Sequence, residues 1–122
     1  MNGDFHLFVY GTLRSNGAGA ALLADGKMVG EGSVGGVLYN IDDAYPALIV
    51  YGTTPVRGEV WRCPASAMVQ LDEYEGVGEG LFRRIGVDVQ MRDGTVRGCW
   101  TYVAGPKLSR RLTGARRIEA WV

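Results

Sequence analysis

Hydrophobic positions arrive in short runs cut by glycine. Phe5 to Tyr10 is one such run, aromatic and branched, and it predicts a buried strand that stops at Gly11. Residues 11–17 break it into a loop. Ala18 to Ala24 predicts a short helix weakened by Gly19. Met28 to Ile41 predicts two strands, or one bent strand with glycines at its bends. Asp42 to Pro46 predicts a turn, and Ala47 to Tyr51 a further strand. Val56 to Cys63 alternates as a strand. Pro64 then opens a helix that runs to about Glu75 and stops at Gly76. Val77 to Gly80 reads as loop. Arg84 to Met91 and Thr95 to Val103 are strands joined across Asp93-Gly94, a strong hairpin signal. Beyond Gly105 the pattern is less regular.

The order of elements predicts an α+β fold with a strongly curved sheet or small barrel. The 122 residues fit one domain, 1–122, with no repeat and no linker. Glycine is about twice its usual share, at 19 residues, which suits many turns and close backbone approaches. Thirteen basic and thirteen acidic residues give a net charge of zero, so bulk charge excludes a strongly basic nucleic-acid binder. Residues 107–122 carry five cations against Glu119, and this basic stretch reads as a solvated terminal helix or loop. Met1-Asn2-Gly3-Asp4 does not read as the start of a signal peptide, and no apolar run is long enough for a membrane span. The expectation is a cytoplasmic protein with reduced thiols at Cys63 and Cys99.

The chemistry available is narrow. One histidine and two distant cysteines assemble no zinc set, and no metal or cofactor is expected. Gly30 to Gly35 spells G-x-G-x-x-G, but Val37-Leu38-Tyr39 follows as a strand, which favours bent strand over dinucleotide loop. His6 has no identifiable nucleophile or carboxylate partner and reads as a hydrogen-bonded strand residue. The Tyr10-Gly11-Thr12-Leu13 segment admits two readings: a turn whose N–H groups converge on an anion, or a plain strand end. Glu75 shares a helix face with Met68 and Leu71, while Asp72 and Glu73 point elsewhere as solvated charges. A carboxylate on an apolar face gains protons more readily, as a general base working near neutrality must. The competing reading is a frayed last turn, with Glu75 in water or paired with Arg83 or Arg84.

These segments together resemble the γ-glutamylcyclotransferase-like family, which includes the γ-glutamylamine cyclotransferases and the AIG2-like proteins. Phe8 to Arg14 looks like its F-V-Y-G-T-L signature, and Val56 to Trp61 its V-x-G-E-V-Y strand. Leu71 to Gly76 resembles its L-D-x-x-E-G helix end. Leu81 to Arg84 with Val87 and Val89 resembles its Y-x-R-x-x-V-x-V strand. Gly36 to Tyr39, Tyr45 to Leu48, Tyr102-Val103 and Trp121 follow in order.

The resemblance implies a small mixed β-barrel flanked by short helices. It implies cyclisation of a small-molecule γ-glutamyl substrate to 5-oxoproline with release of an amine, and no cofactor. Tyr10, Gly11, Thr12 and Leu13 would bind the γ-glutamyl moiety, their amides holding its α-carboxylate. Glu75 would be the acid/base, and Arg84 a supporting residue on the neighbouring strand. Phe82 stands where the family usually has Tyr, which bears on substrate identity. The alternative is a non-catalytic module that binds a small anion in the same pocket.

Overall fold

The computed structural model describes residues 3–11, 13–14 and 19–120. Five strands close into a barrel in the order β1 (Phe5–Val9), β5 (Pro55–Cys63), β2 (Lys27–Gly35), β6 (Phe82–Met91) and β7 (Val96–Ala104). Neighbours run antiparallel except at the closure, where β1 lies parallel to β7 with Leu7 opposite Trp100. A second sheet has the order β4 (Tyr45–Ile49), β3 (Val37–Ile41), β8 (Arg116–Ile118). Two short helices, α1 (Met68–Tyr74) and α2 (Pro106–Ser109), complete an α+β architecture.

β1 explains its own composition. Phe5, Leu7 and Val9 pack with Leu71 of α1 and Leu108 of α2, while Phe8 and Tyr10 pack with Val34, Val60 and Val103 in a second cluster. A strand covered on both faces must be apolar at nearly every position. The β6–β7 hairpin turns at Asp93-Gly94 as expected, with the Thr95 N–H donating to the Asp93 carboxylate.

Several boundaries differ from the sequence pattern. The segment from Met28 to Ile41 is two strands, parted at Gly36. The turn ends at Ala44, so Tyr45 and Pro46 belong to β4. Asn40 makes that turn short. Its side-chain oxygen accepts the Asp43 N–H while its amide donates to the Asp43 carboxylate. Pro64 is extended and precedes a 3₁₀ turn over Ala65–Ala67, so α1 begins only at Met68. The basic C-terminal stretch is not a solvated helix or loop throughout, for Arg116–Ile118 pairs with β3. Arg111 and Arg116 bridge to Asp42 and Asp43, and Arg117 lies over the Tyr39 ring. Among the described residues no helix is long and apolar enough to cross a membrane.

Candidate active site

The site is built where β1 ends against the end of α1. Tyr10 follows directly on the strand, with its ring buried and its hydroxyl committed. That hydroxyl donates to the Tyr102 carbonyl at 2.6 Å and accepts the Leu48 N–H at 3.3 Å. Gly11 follows because nothing larger fits: a Cβ there would lie 2.6 Å from Cγ of Pro46. The Gly11 carbonyl accepts the Arg14 N–H at 3.1 Å, closing the turn, and Leu13 is buried beneath it. Thr12 lies outside the described residues, as does Trp121.

A cavity of about 300 Å³ opens beside this turn. Tyr10, Gly11 and Leu13 form one side. Ala44, Tyr45 and Pro46 form the second, and Leu81 and Phe82 the third. Tyr74, Glu75 and Tyr102 complete it. The Phe82 and Tyr45 rings meet at 5.9 Å, so the residue that departs from the family pattern is a wall of this cavity.

Glu75 is the lining residue that carries a carboxylate. It caps α1, and Gly76 reverses the chain in the left-handed region (φ +65°) immediately after it. Leu71, fully buried, anchors the same helix face. Among the described residues no cation or hydrogen-bond donor engages the Glu75 carboxylate, so the pairing with Arg83 or Arg84 does not form. Burial pushes its carboxyl up to about 7. Burial, and then the Glu75 charge, also holds the Tyr10 phenol well above its ordinary value.

Arg84 is placed on β6 directly opposite Tyr102 of β7, and both reach Asp72. Arg84 donates twice, Nε to Oδ1 at 3.0 Å and Nη2 to Oδ2 at 3.2 Å. The Tyr102 hydroxyl donates to Oδ1 at 2.6 Å. The Arg84 guanidinium also stacks 4.9 Å from the Trp100 ring centre. Partial burial opposes the Asp72 charge, but the Arg84 and Tyr102 donors outweigh it and hold this carboxyl below its ordinary value. Asp72 is therefore not the solvated charge that the helical pattern suggests. The pattern places it off the Met68–Leu71 face, but that side of α1 looks onto β6 and β7 rather than water. Glu73 is exposed as expected.

The other candidates lie elsewhere. His6 sits on β1 with Nε2 3.3 Å from Arg97 Nη1, away from the cavity, and burial followed by Arg97 lowers its pKa. The G-x-G-x-x-G glycines lie within β2, paired to β5, in strand rather than phosphate-loop geometry. Among the described residues no group of three His, Cys, Asp or Glu side chains converges as a metal site. Sequence reasoning missed Asp72 and Tyr102 as partners and Tyr45 as a wall. The motif segments contained all three, yet only strand register shows that they meet.

Comparisons with known proteins bear on the family and the fold. The family model described as "Gamma-glutamyl cyclotransferase, AIG2-like" matches residues 7–121. No curated protein matches the chain by sequence. Among solved structures, an AIG2-like protein from Mus musculus superposes with a TM-score of 0.84 at 20% identity, over 98% of this chain and 88% of the mouse one. A uropathogenic E. coli-specific protein gives 0.71 at 24% identity, over 95% and 88% of the two chains. A structure named gamma-glutamyl cyclotransferase gives 0.67 at 20% identity, over 83% and 66%. At such identities the structures establish the fold, a closed mixed barrel with few short helices. With the family model spanning nearly the whole sequence, the chain belongs to the gamma-glutamyl cyclotransferase, AIG2-like family.

Proposed function

We propose that this chain is a γ-glutamyl cyclotransferase whose acid/base is Glu75. The observation that carries the reading is a carboxylate without a partner among the described residues, made proton-hungry by burial, at the wall of a cavity beside a glycine turn. The substrate's α-ammonium gives a proton to Glu75. The freed amine attacks the γ-carbonyl carbon of the same molecule, and a five-membered ring closes. Glu75 passes that proton to the departing nitrogen and takes the second proton from the ring nitrogen, the γ-carbon–nitrogen bond breaks, and 5-oxoproline leaves with the amine, which carries the second proton away as its ammonium. Protons and electrons balance without any co-reactant. Nucleophile and electrophile share one molecule, so holding the folded-back conformer supplies much of the acceleration. One carboxyl that titrates near neutrality serves both proton transfers.

The Tyr10–Leu13 turn is assigned to the γ-glutamyl group, with backbone N–H groups on its α-carboxylate. The Arg14 N–H already serves the turn, which leaves this role to the amides before it. The Tyr10 hydroxyl is spent on the protein, so Tyr10 contributes its ring and its backbone. Arg84 acts in support, through Asp72.

The test is 5-oxoproline release from γ-glutamyl dipeptides and γ-glutamylamines by wild type and Glu75→Gln. Wild type is expected to release product, and the variant to lose roughly 10²- to 10⁴-fold in rate while remaining folded. An unimpaired variant overturns the assignment of the base. Thermal stabilisation by these compounds without product would make the protein a binding module instead.

A further inference from the structure

α1 ends in two carboxylates three residues apart, Asp72 and Glu75, and their partners are divided unequally. Asp72 takes three donors, two from Arg84 and one from Tyr102. Glu75 takes none among the described residues. Yet Tyr102 lines the same cavity as Glu75. Arg84 stands opposite Tyr102 in the sheet, and positions i and i+3 are neighbours on a helix surface. Among the described residues, the other groups that line this cavity or lie near it are uncharged or acidic. They include the Tyr10 phenol just after β1, Tyr45 from β4, Tyr74 from α1, Leu81 and Phe82 beyond the helix, and the Glu79 carboxylate near Gly76. Tyr102 is thus a donor facing the cavity that Glu75 lines, Arg84 stands beside it in the sheet, and Asp72 occupies both.

We propose that Asp72 is a positioning residue for Glu75: by engaging the Arg84 guanidinium and the Tyr102 hydroxyl, it keeps both off the Glu75 carboxylate, which meets the substrate unpaired. The catalytic meaning of this rests on the function proposed above, whereas its physical content does not. The stack of Arg84 on Trp100 adds a second restraint on the guanidinium, so the device is held from two sides.

The test reads the Glu75 proton directly. The chain has six glutamates, and ¹³C-carboxyl labelling of them, with Glu75→Gln to assign the resonance, gives the Glu75 titration midpoint by NMR. In Asp72→Asn, released donors should turn to Glu75 and lower its midpoint by about one pH unit or more. Adding Arg84→Met should raise the midpoint again. Tyr102→Phe should leave it unmoved, because the hydroxyl it removes belongs to Asp72. A folded Asp72→Asn variant with the wild-type midpoint overturns the proposal. So does a midpoint that rises in Tyr102→Phe, which also decides the matter if Asp72→Asn fails to fold. In an active enzyme the acid limb of the rate profile should shift with the midpoint, and a rate loss without that shift makes Asp72 merely structural and overturns the proposal. If no variant, nor wild type, releases 5-oxoproline but the midpoint falls as expected, the function fails and the positioning role stands.

Discussion

Asp72 and Glu75 leave the same short helix one turn apart and meet opposite surroundings. Asp72 faces the barrel wall, where β6 and β7 present a guanidinium and a hydroxyl in register. Glu75 faces an apolar and aromatic cavity. The first carboxyl is held below its ordinary value and the second pushed to about 7. The lesson is that a perturbed carboxylate need not be near a special charge. It needs its neighbours' donors to be engaged elsewhere. Asp72 costs the fold little because it is paired, whereas Glu75 is a charge kept poor in partners, as functional sites tend to be.

Opposite settings predict opposite dependence on pH. The Glu75 carboxyl titrates at 4.5 when unfolded and at about 7 when folded. Between those values the folded state binds more protons, so stability falls as pH rises and the penalty is complete above 7. Glu75→Gln should therefore stabilise the protein at pH 8, by up to about 3 kcal/mol, with the gain vanishing near pH 4. Urea denaturation across that range checks it, and a variant less stable at pH 8 would mean that Glu75 has a stabilising partner.

Asp72 should give the reverse sign. Its folded value is depressed, so its contribution is present above 3.8 and lost as pH falls through the lowered value. Asp72→Asn should destabilise by about 1–2 kcal/mol at pH 7 and by much less in acid. Equal losses at both pH values would show that the pair with Arg84 contributes little. The smallest effect sharpens the apolar side. Phe82→Tyr adds a hydroxyl to the cavity wall, and should change stability by less than about 1.5 kcal/mol. It should alter KM several-fold more than kcat, as steady-state kinetics over a γ-glutamyl substrate series would show.

Much of this contrast was legible in the sequence, and the limits have physical causes. β1, β5 and the β6–β7 hairpin announce themselves through apolar runs and Asp93-Gly94, which are local signals. The buried setting of Glu75 was legible because Met68 and Leu71 mark its face. β8 was not, since three residues carry no period and its place depends on Asp42 and Asp43, about 70 positions earlier in the chain. Asp72 was misread for a similar reason. A helical pattern says which side a residue faces, but here that side meets Arg84 and Tyr102, which a strand register brings together from outside the helix. The cavity itself depends on β4 reaching back to Tyr45, where the sequence suggested only a turn.

The Tyr10 hydroxyl has a consequence for how the molecule fluctuates. Its two partners belong to different sheets, Tyr102 to the barrel and Leu48 to the three-stranded sheet. Peeling the smaller sheet away would strip a buried oxygen of its donor and leave the Leu48 amide orphaned, at a cost of roughly 1–3 kcal/mol beyond the packing lost. That ties the two sheets into one cooperative unit at the cavity floor, so partial opening there is drawn from the rare end of the native ensemble.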